Sequence, residues 1–242
     1  MLFGLLVATV GIVAAALAAI AGFGIGSLLT PLLALEAGTK LAVAAVSIPH
    51  LVATALRFSM ARAQVDWRVV RSFGLFSAGG GLLGAVLHVY ASNRGLAIVF
   101  GALLLFAGAI ELSGLSRRMR FGGRAAWVAG AVSGALGGLV GNQGGIRSAA
   151  LLGFDVRKES FVATATAIAL IVDAARLPVY LVAEGSSILG IWPLVAAATA
   201  GAVAGTVAGW RALRHVPERQ FRRIVAMLLI ALGAAMMAGV GA

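Results

Sequence analysis

The sequence predicts an all-α integral membrane protein. Three observations carry that expectation. Of the 242 residues, 61% are hydrophobic and only 11% charged, whereas a soluble domain carries about 25% charged residues. The chain divides into apolar runs, most of them near the ~20 helical residues that a bilayer core requires. Its Lys and Arg side chains fall mainly in the short gaps between those runs, as they do in positive-inside loops.

The first run, residues 1–35, carries no charge. No basic residue precedes it and it continues unbroken into a glycine stretch, so it reads as retained and not as a cleaved signal peptide. The next run, 41–60, contains Pro49, His50 and Arg57. Runs at 72–93, 95–113 and 125–146 follow, then 160–183 with Asp173, Arg176 and Pro178, then 185–210 and 224–242. The 33 glycines suit transmembrane helices, which tolerate glycine well. His88, Tyr90 and Trp192 read as interfacial, and Glu111 and Glu184 as hydrated near loop ends. We expect a single transmembrane domain over 1–242.

Several classes are excluded at this level. The net charge of +11 could suggest nucleic acid, but no soluble basic face exists to meet phosphates. There is no cysteine, hence no disulfide and no thiolate metal site. No His/Asp/Glu cluster offers another metal set, so neither metal nor cofactor is expected. A membrane hydrolase would have to use Ser27 with His50, a pairing that no spacing supports.

The chain repeats itself. A shift of 119 residues lays Gly22, Gly26, Leu32 and Leu33 on Gly141, Gly145, Leu151 and Leu152, and Arg57 on Arg176. A slightly larger shift lays Gly80 and Gly84 on Gly201 and Gly205. Residues 1–120 and 121–242 therefore read as two copies of a four-segment unit. If all eight segments crossed, one side would hold Arg62, Arg68, Arg71, Arg117, Arg118, Arg120 and Arg124. The other would hold Lys40, Arg94, Arg157, Lys158, Arg211, Arg214, Arg219, Arg222 and Arg223. That split has no bias. If segments 1 and 5 instead turn at their glycines and return, all of these except Lys40 and Arg94 share one side. This second arrangement obeys the positive-inside rule and makes the copies inverted, a common transporter plan.

The two turns are GFGIGSLLTPLL at 22–33 and GNQGGIRSAALL at 141–152. Backbone that leaves a helix inside a membrane is tolerated only where protein or a wet cavity satisfies it. A short helix is expected to begin after each turn, near Ser27 and near Ile146, with unpaired N–H groups and the positive end of its dipole at the tip. Two such tips, entering from opposite faces, would surround an anion. The candidate binding residues are Gly22, Gly24, Gly26, Ser27 and Thr30 from the first tip. Gly141, Asn142, Gln143, Gly144, Gly145, Arg147 and Ser148 come from the second. Arg147 adds a charge and a planar donor fork suited to oxyanions.

A second group, His50, Arg57, Asp173 and Arg176, is placed at gating or coupling, with protons as the candidate coupling ion. Blander readings stand beside it: Arg57 snorkels to an interface, Asp173 and Arg176 form an internal ion pair, His50 is simply packed. Gly130, Gly134, Gly138 and Gly201, Gly205, Gly209 repeat at four-residue spacing, which suits close helix packing.

These glycine stretches and the duplicated four-segment plan resemble the TauE/SafE sulfite exporter family of membrane permeases. Pro31 follows the first glycine cluster as that family's motif has it; in the second copy Ala150 stands where the proline would fall. The resemblance implies transport of sulfite, a sulfonate or a related organic acid across the cell (inner) membrane. A homodimer is compatible with it. A passive anion channel or a non-transporting structural subunit are the alternatives.

Overall fold

The computed structural model describes residues 2–21, 24–114, 124–141, 144, 147, 151, 158–212 and 218–239. Among these, the chain is all-helical and contains no strand. We number the helices α1 (Leu2–Ala21), α2 (Ile25–Ala61), α3 (Trp67–Tyr90), α4 (Asn93–Ser113), α5 (Arg124–Val140), α6 (Lys158–Gly190), α7 (Trp192–Ala212) and α8 (Glu218–Met237). Six of them, all but α5 and α8, are long and apolar enough to cross a membrane. The protein is thus a multi-pass membrane protein, with Leu2, Leu5, Leu83, Val182 and Leu189 among the apolar side chains left on its outer surface.

The expected first run is two elements. α1 has 20 residues, about 30 Å of helix. The chain then turns and continues as α2, which is broken at Gly38 with φ 74°. Glycine is the residue that takes this conformation without strain. Residues 25–37 form a first arm of roughly 20 Å and 39–61 a second of roughly 35 Å. The helix expected near Ser27 therefore begins at Ile25 and is the first arm of a longer element. The boundary expected near Glu184 lies later, at Ile191, because α6 runs on to Gly190.

The break at Gly38 exposes backbone groups, and a neighbouring turn satisfies them. The Lys40 N–H donates to Asn93 Oδ1 at 2.8 Å, and Lys40 Nζ donates to the Val89 carbonyl at 2.5 Å. Glu184 lies 3.9 Å from the same ammonium, so it is paired at the rim. At the opposite end Asp66 caps α3, accepting from the N–H groups of Arg68 and Val69 at 2.9 and 3.3 Å. The Asp66 N–H in turn donates to Thr164 on α6 at 2.9 Å.

Four helix pairs build the molecule: α1 with α7, α3 with α5, α2 with α6, and α4 with α8. The first two are set by glycine. Ala8, Ile12 and Ala16 of α1 meet Gly201, Gly205 and Gly209 of α7 in the same order, so the helices run parallel. Ser77 and Gly81 of α3 meet Gly134 and Gly138 of α5, again in parallel order. Gly80 and Gly84 meet Ala131 and Ala135 across the same seam. At most of these contacts an added Cβ would collide with a carbonyl of the partner helix, which is how small residues allow close approach in membranes. The packing role expected of the six spaced glycines is what their surroundings show.

The other two pairs run antiparallel. Gly101 lies against Gly233 and Gly108 against Ala226. Lys40, His50 and Asp66 face Glu184, Asp173 and Thr164 in descending order.

We predict that Gly205→Val, which drives a side chain into the Ile12 carbonyl, splits α1 from α7 and destabilises the protein by roughly 1–3 kcal/mol. Gly185→Val should be close to neutral, since nothing lies within 4 Å of a Cβ at Gly185. Thermal melts of the two detergent-purified variants check this; equal melting temperatures would refute it.

Candidate functional site

The two glycine turns meet. A Cβ on Gly26 would lie 2.5 Å from the Gly141 carbonyl oxygen, so only glycine permits this approach. Gly24 precedes α2 with φ 146° and Gly141 follows α5 with φ 75°. Ser27 and Thr30, in the first turns of α2, are both buried. Gly144 and Arg147 are helical and buried, with Arg147 3% exposed. Gly22, Asn142, Gln143, Gly145 and Ser148 lie outside the described residues.

Beside this contact sits a buried polar chain carried by α2 and α6. His50, Thr54 and Arg57 recur at i, i+4 and i+7, and Asp173, Arg176 and Tyr180 at i, i+3 and i+7, so each triplet occupies one helix face. The two faces oppose each other. His50 Nδ1 donates to Asp173 Oδ2 at 2.6 Å. Arg176 donates to Asp173 Oδ1 from Nη2 at 2.8 Å and from Nε at 3.1 Å. Asp173 is 0% and Arg176 2% exposed. The ion pair expected between them exists, and His50 is its third member.

Arg176 also holds the second tip. Its Nη1 donates to the Gly137 carbonyl at 2.5 Å, and a Cβ on Gly141 would lie 3.7 Å from the same nitrogen. Tyr180 donates its hydroxyl to the Gly138 carbonyl, and His88 Nδ1 donates to the Leu139 carbonyl at 2.8 Å. Three successive carbonyls at the C-terminal end of α5 are therefore met by side chains from α6 and α3. The Gly137 carbonyl also accepts from the Gly141 N–H at 2.9 Å, so Arg176 adds a second donor there; the helix end as a whole carries partial negative charge, which a guanidinium complements. His88, expected at an interface, is instead fully buried, 4.9 Å from the Tyr180 ring. Its polar ring can sit there because it serves a carbonyl that the broken helix leaves over. Tyr90 and Trp192 are exposed on the outer surface.

Arg57 is 4% exposed, so it does not snorkel to solvent. Its Nη2 donates to Thr54 Oγ1 at 3.1 Å. It lies within Coulombic range of Asp173 and of Arg147. Three buried guanidiniums thus share one neighbourhood with Asp173. Among the described residues no three His, Cys, Asp or Glu side chains gather as a metal set.

Tyr180 and Thr54 carry no advance signal beyond their helical spacing from Arg176 and Arg57. His88 had a signal that pointed elsewhere.

Removing one partner of a buried ion pair strands the other charge, at about 3–5 kcal/mol. Asp173→Asn alone, or Arg176→Gln alone, should lower folded yield sharply, and the double substitution should recover part of the loss. Yields from matched membrane preparations decide it: a double variant no better than the worse single would show that the pair is not a unit.

Comparison with known proteins agrees with this architecture. No curated protein and no solved structure matches the chain. A model of the family described as sulfite exporter TauE/SafE matches residues 7–236, nearly the whole length. With its membrane helices and its paired glycine turns, the chain belongs to the sulfite exporter TauE/SafE family of membrane transporters.

Proposed function

We propose that the protein is a secondary transporter that moves a small anion, such as sulfite, a sulfonate or a related organic acid, across the cell (inner) membrane. The observation that carries this is the contact of Gly26 with Gly141 beside buried Arg57 and Arg147. These two guanidiniums lie within Coulombic reach of each other and of Asp173, and an excess of positive charge gathered away from water favours an entering anion. The N-terminus of α2 meets Gly141 through Gly26 and adds N–H donors at that contact. Ser27 and Thr30 line the first tip, and Arg147 stands on the second with Gly144; Gly22, Asn142, Gln143, Gly145 and Ser148 complete the proposed site by sequence.

The proposed path rests on an inverted repeat, with residues 1–120 and 121–242 as its copies. Helix order supports it. The second helix of each copy packs on the other, antiparallel, and so does the fourth. A repeat rotated about the membrane normal would make those pairs parallel. The first helix of each copy packs on the third of the other through glycines, among them the matched pairs Gly80, Gly84 and Gly201, Gly205.

The re-entrant turn has support too. Gly4 of α1 packs against Leu194 at the start of α7, just past the end of α6 that carries Glu184. The first arm of α2 ends at Gly38, against Asn93. Lys40 links Asn93 and Glu184, so α1 and the returning arm begin and end on one side. Arg62, Arg68 and Arg71 cluster at the far end, by Thr164, which we assign to the cytoplasm.

His50 is the group proposed to couple transport to protons. It is in direct contact with Asp173, and Arg176 and Arg57 are its charged neighbours on α6 and α2. Arg176 and Asp173 act in the same reading as the gate element that holds the second tip.

Three experiments test these assignments. Single cysteines introduced at Arg68, Arg118, Arg157 and Arg219 should all be labelled from the cytoplasmic side; Arg118 and Arg157 on opposite sides would remove the inverted repeat. In proteoliposomes, sulfite or sulfoacetate uptake should accelerate when a pH gradient is imposed. Arg147→Ala should insert normally yet lose binding at low anion concentration, and Arg147→Lys should retain part of it. Wild-type affinity in folded Arg147→Ala would move the site elsewhere, and flux indifferent to the pH gradient would favour a passive channel.

A further inference from the structure

Arg57 and Arg176 are related by the 119-residue repeat, yet their surroundings differ. Arg176 has an acceptor at each of its three nitrogens: Nε and Nη2 donate to Asp173, and Nη1 donates to Gly137. Arg57 has one bond, from Nη2 to Thr54. Its Nε and Nη1 are buried and find no acceptor among the described residues. Asp173 is within Coulombic range but is already occupied by His50 and Arg176. A guanidinium has five N–H donors, and a buried one left with most of them unmet is strongly unfavourable. Its fork geometry is matched by the oxygens of a carboxylate, sulfonate or sulfite.

Sequence alone placed Arg57 with the gating residues. The geometry points instead to Arg57 as a direct ligand of the transported oxyanion: we propose that its unmet N–H groups, those of Nη1 first among them, donate to the anion's oxygens, with Thr54 fixing the guanidinium. This rests on the anion-transport reading above and adds to it a residue on the first copy, opposite Arg147. It also divides the matched arginines by task. Arg176 holds a helix end; Arg57 receives cargo.

The test separates a ligand from a structural charge. Arg57→Met keeps length and removes an uncompensated charge. Without anion, the variant should melt at the wild-type temperature or above it, because the single bond to Thr54 is lost together with a poorly satisfied buried charge. With sulfite or sulfoacetate at concentrations that raise the wild-type melting temperature, the shift should vanish, and affinity by titration should fall at least about tenfold, as expected for a lost charge-assisted bond. Arg57→Lys, which keeps the charge, should fold and bind with intermediate affinity; it decides the matter if Arg57→Met does not fold. A wild type that binds the anions while folded Arg57→Met or Arg57→Lys binds them equally well overturns the assignment of Arg57 and leaves anion transport standing. A wild type that neither binds nor moves any anion of the panel overturns both.

Discussion

The structure depends on one constraint: a helix that ends inside a bilayer must find partners for its last backbone groups. No water is available there, and each unmet N–H or C=O is expensive. In the proposed re-entrant arrangement, helices of this chain end within the membrane after Ala21 and after Val140. At the last of these, the carbonyls of Gly137, Gly138 and Leu139 are met by Arg176, Tyr180 and His88. That solution creates a further demand, since a buried guanidinium needs an anion. Asp173 supplies it, and His50 takes the other carboxylate oxygen. The polar chain across the middle of α2 and α6 is thus tied to the end of α5 through Arg176.

The same constraint explains why so much glycine sits outside the turns. Side chains from α3 and α6 reach the end of α5 only if those helices lie close to it. Among lipids the hydrophobic effect does not press helices together, and close packing must do so. Ser77 against Gly134 and Gly81 against Gly138 bring α3 and α5 near contact, which puts His88 in reach of Leu139. On the other side Gly201, Gly205 and Gly209 seat α1, whose position fixes where α2 begins and hence where Gly26 meets Gly141. Packing glycines and turn glycines are thus parts of one construction.

How much of this was legible in the sequence follows from how local each signal is. The apolar runs, the four-residue glycine spacing and the i, i+3 pairing of Asp173 with Arg176 are properties of a single helix, and each was readable. The break at Gly38 falls in the expected gap between the runs 1–35 and 41–60, but its partner Asn93, more than fifty positions away, could not be read. His88 looked interfacial because Tyr90 and the loop follow it. Its burial depends on Leu139, and only the fold brings the two together. His50 as the third member of the Asp173 pair was equally invisible, since 123 residues separate them. Of the proposed site, the glycine turns and Arg147 could be named in advance; the unequal surroundings of Arg57 and Arg176 could not.

That inequality bears on what a transporter needs from its binding site. A site that grips its anion too well cannot release it, and one that has no affinity cannot load. If every buried arginine were unmet, the empty site would carry several uncompensated charges and the protein would be hard to hold together. If every one had each nitrogen partnered as Arg176 does, little donor capacity would remain for cargo. Here Asp173 is fully committed, to Arg176 and His50, and does not hydrogen-bond Arg57. The scaffold charge is thereby neutralised without a bound anion, and in the proposed transport cycle the end of α5 would stay held. The Arg57 charge is left to be neutralised by whatever enters. Affinity then comes from relieving one poorly satisfied cation, and release restores a state in which the scaffold itself has lost nothing.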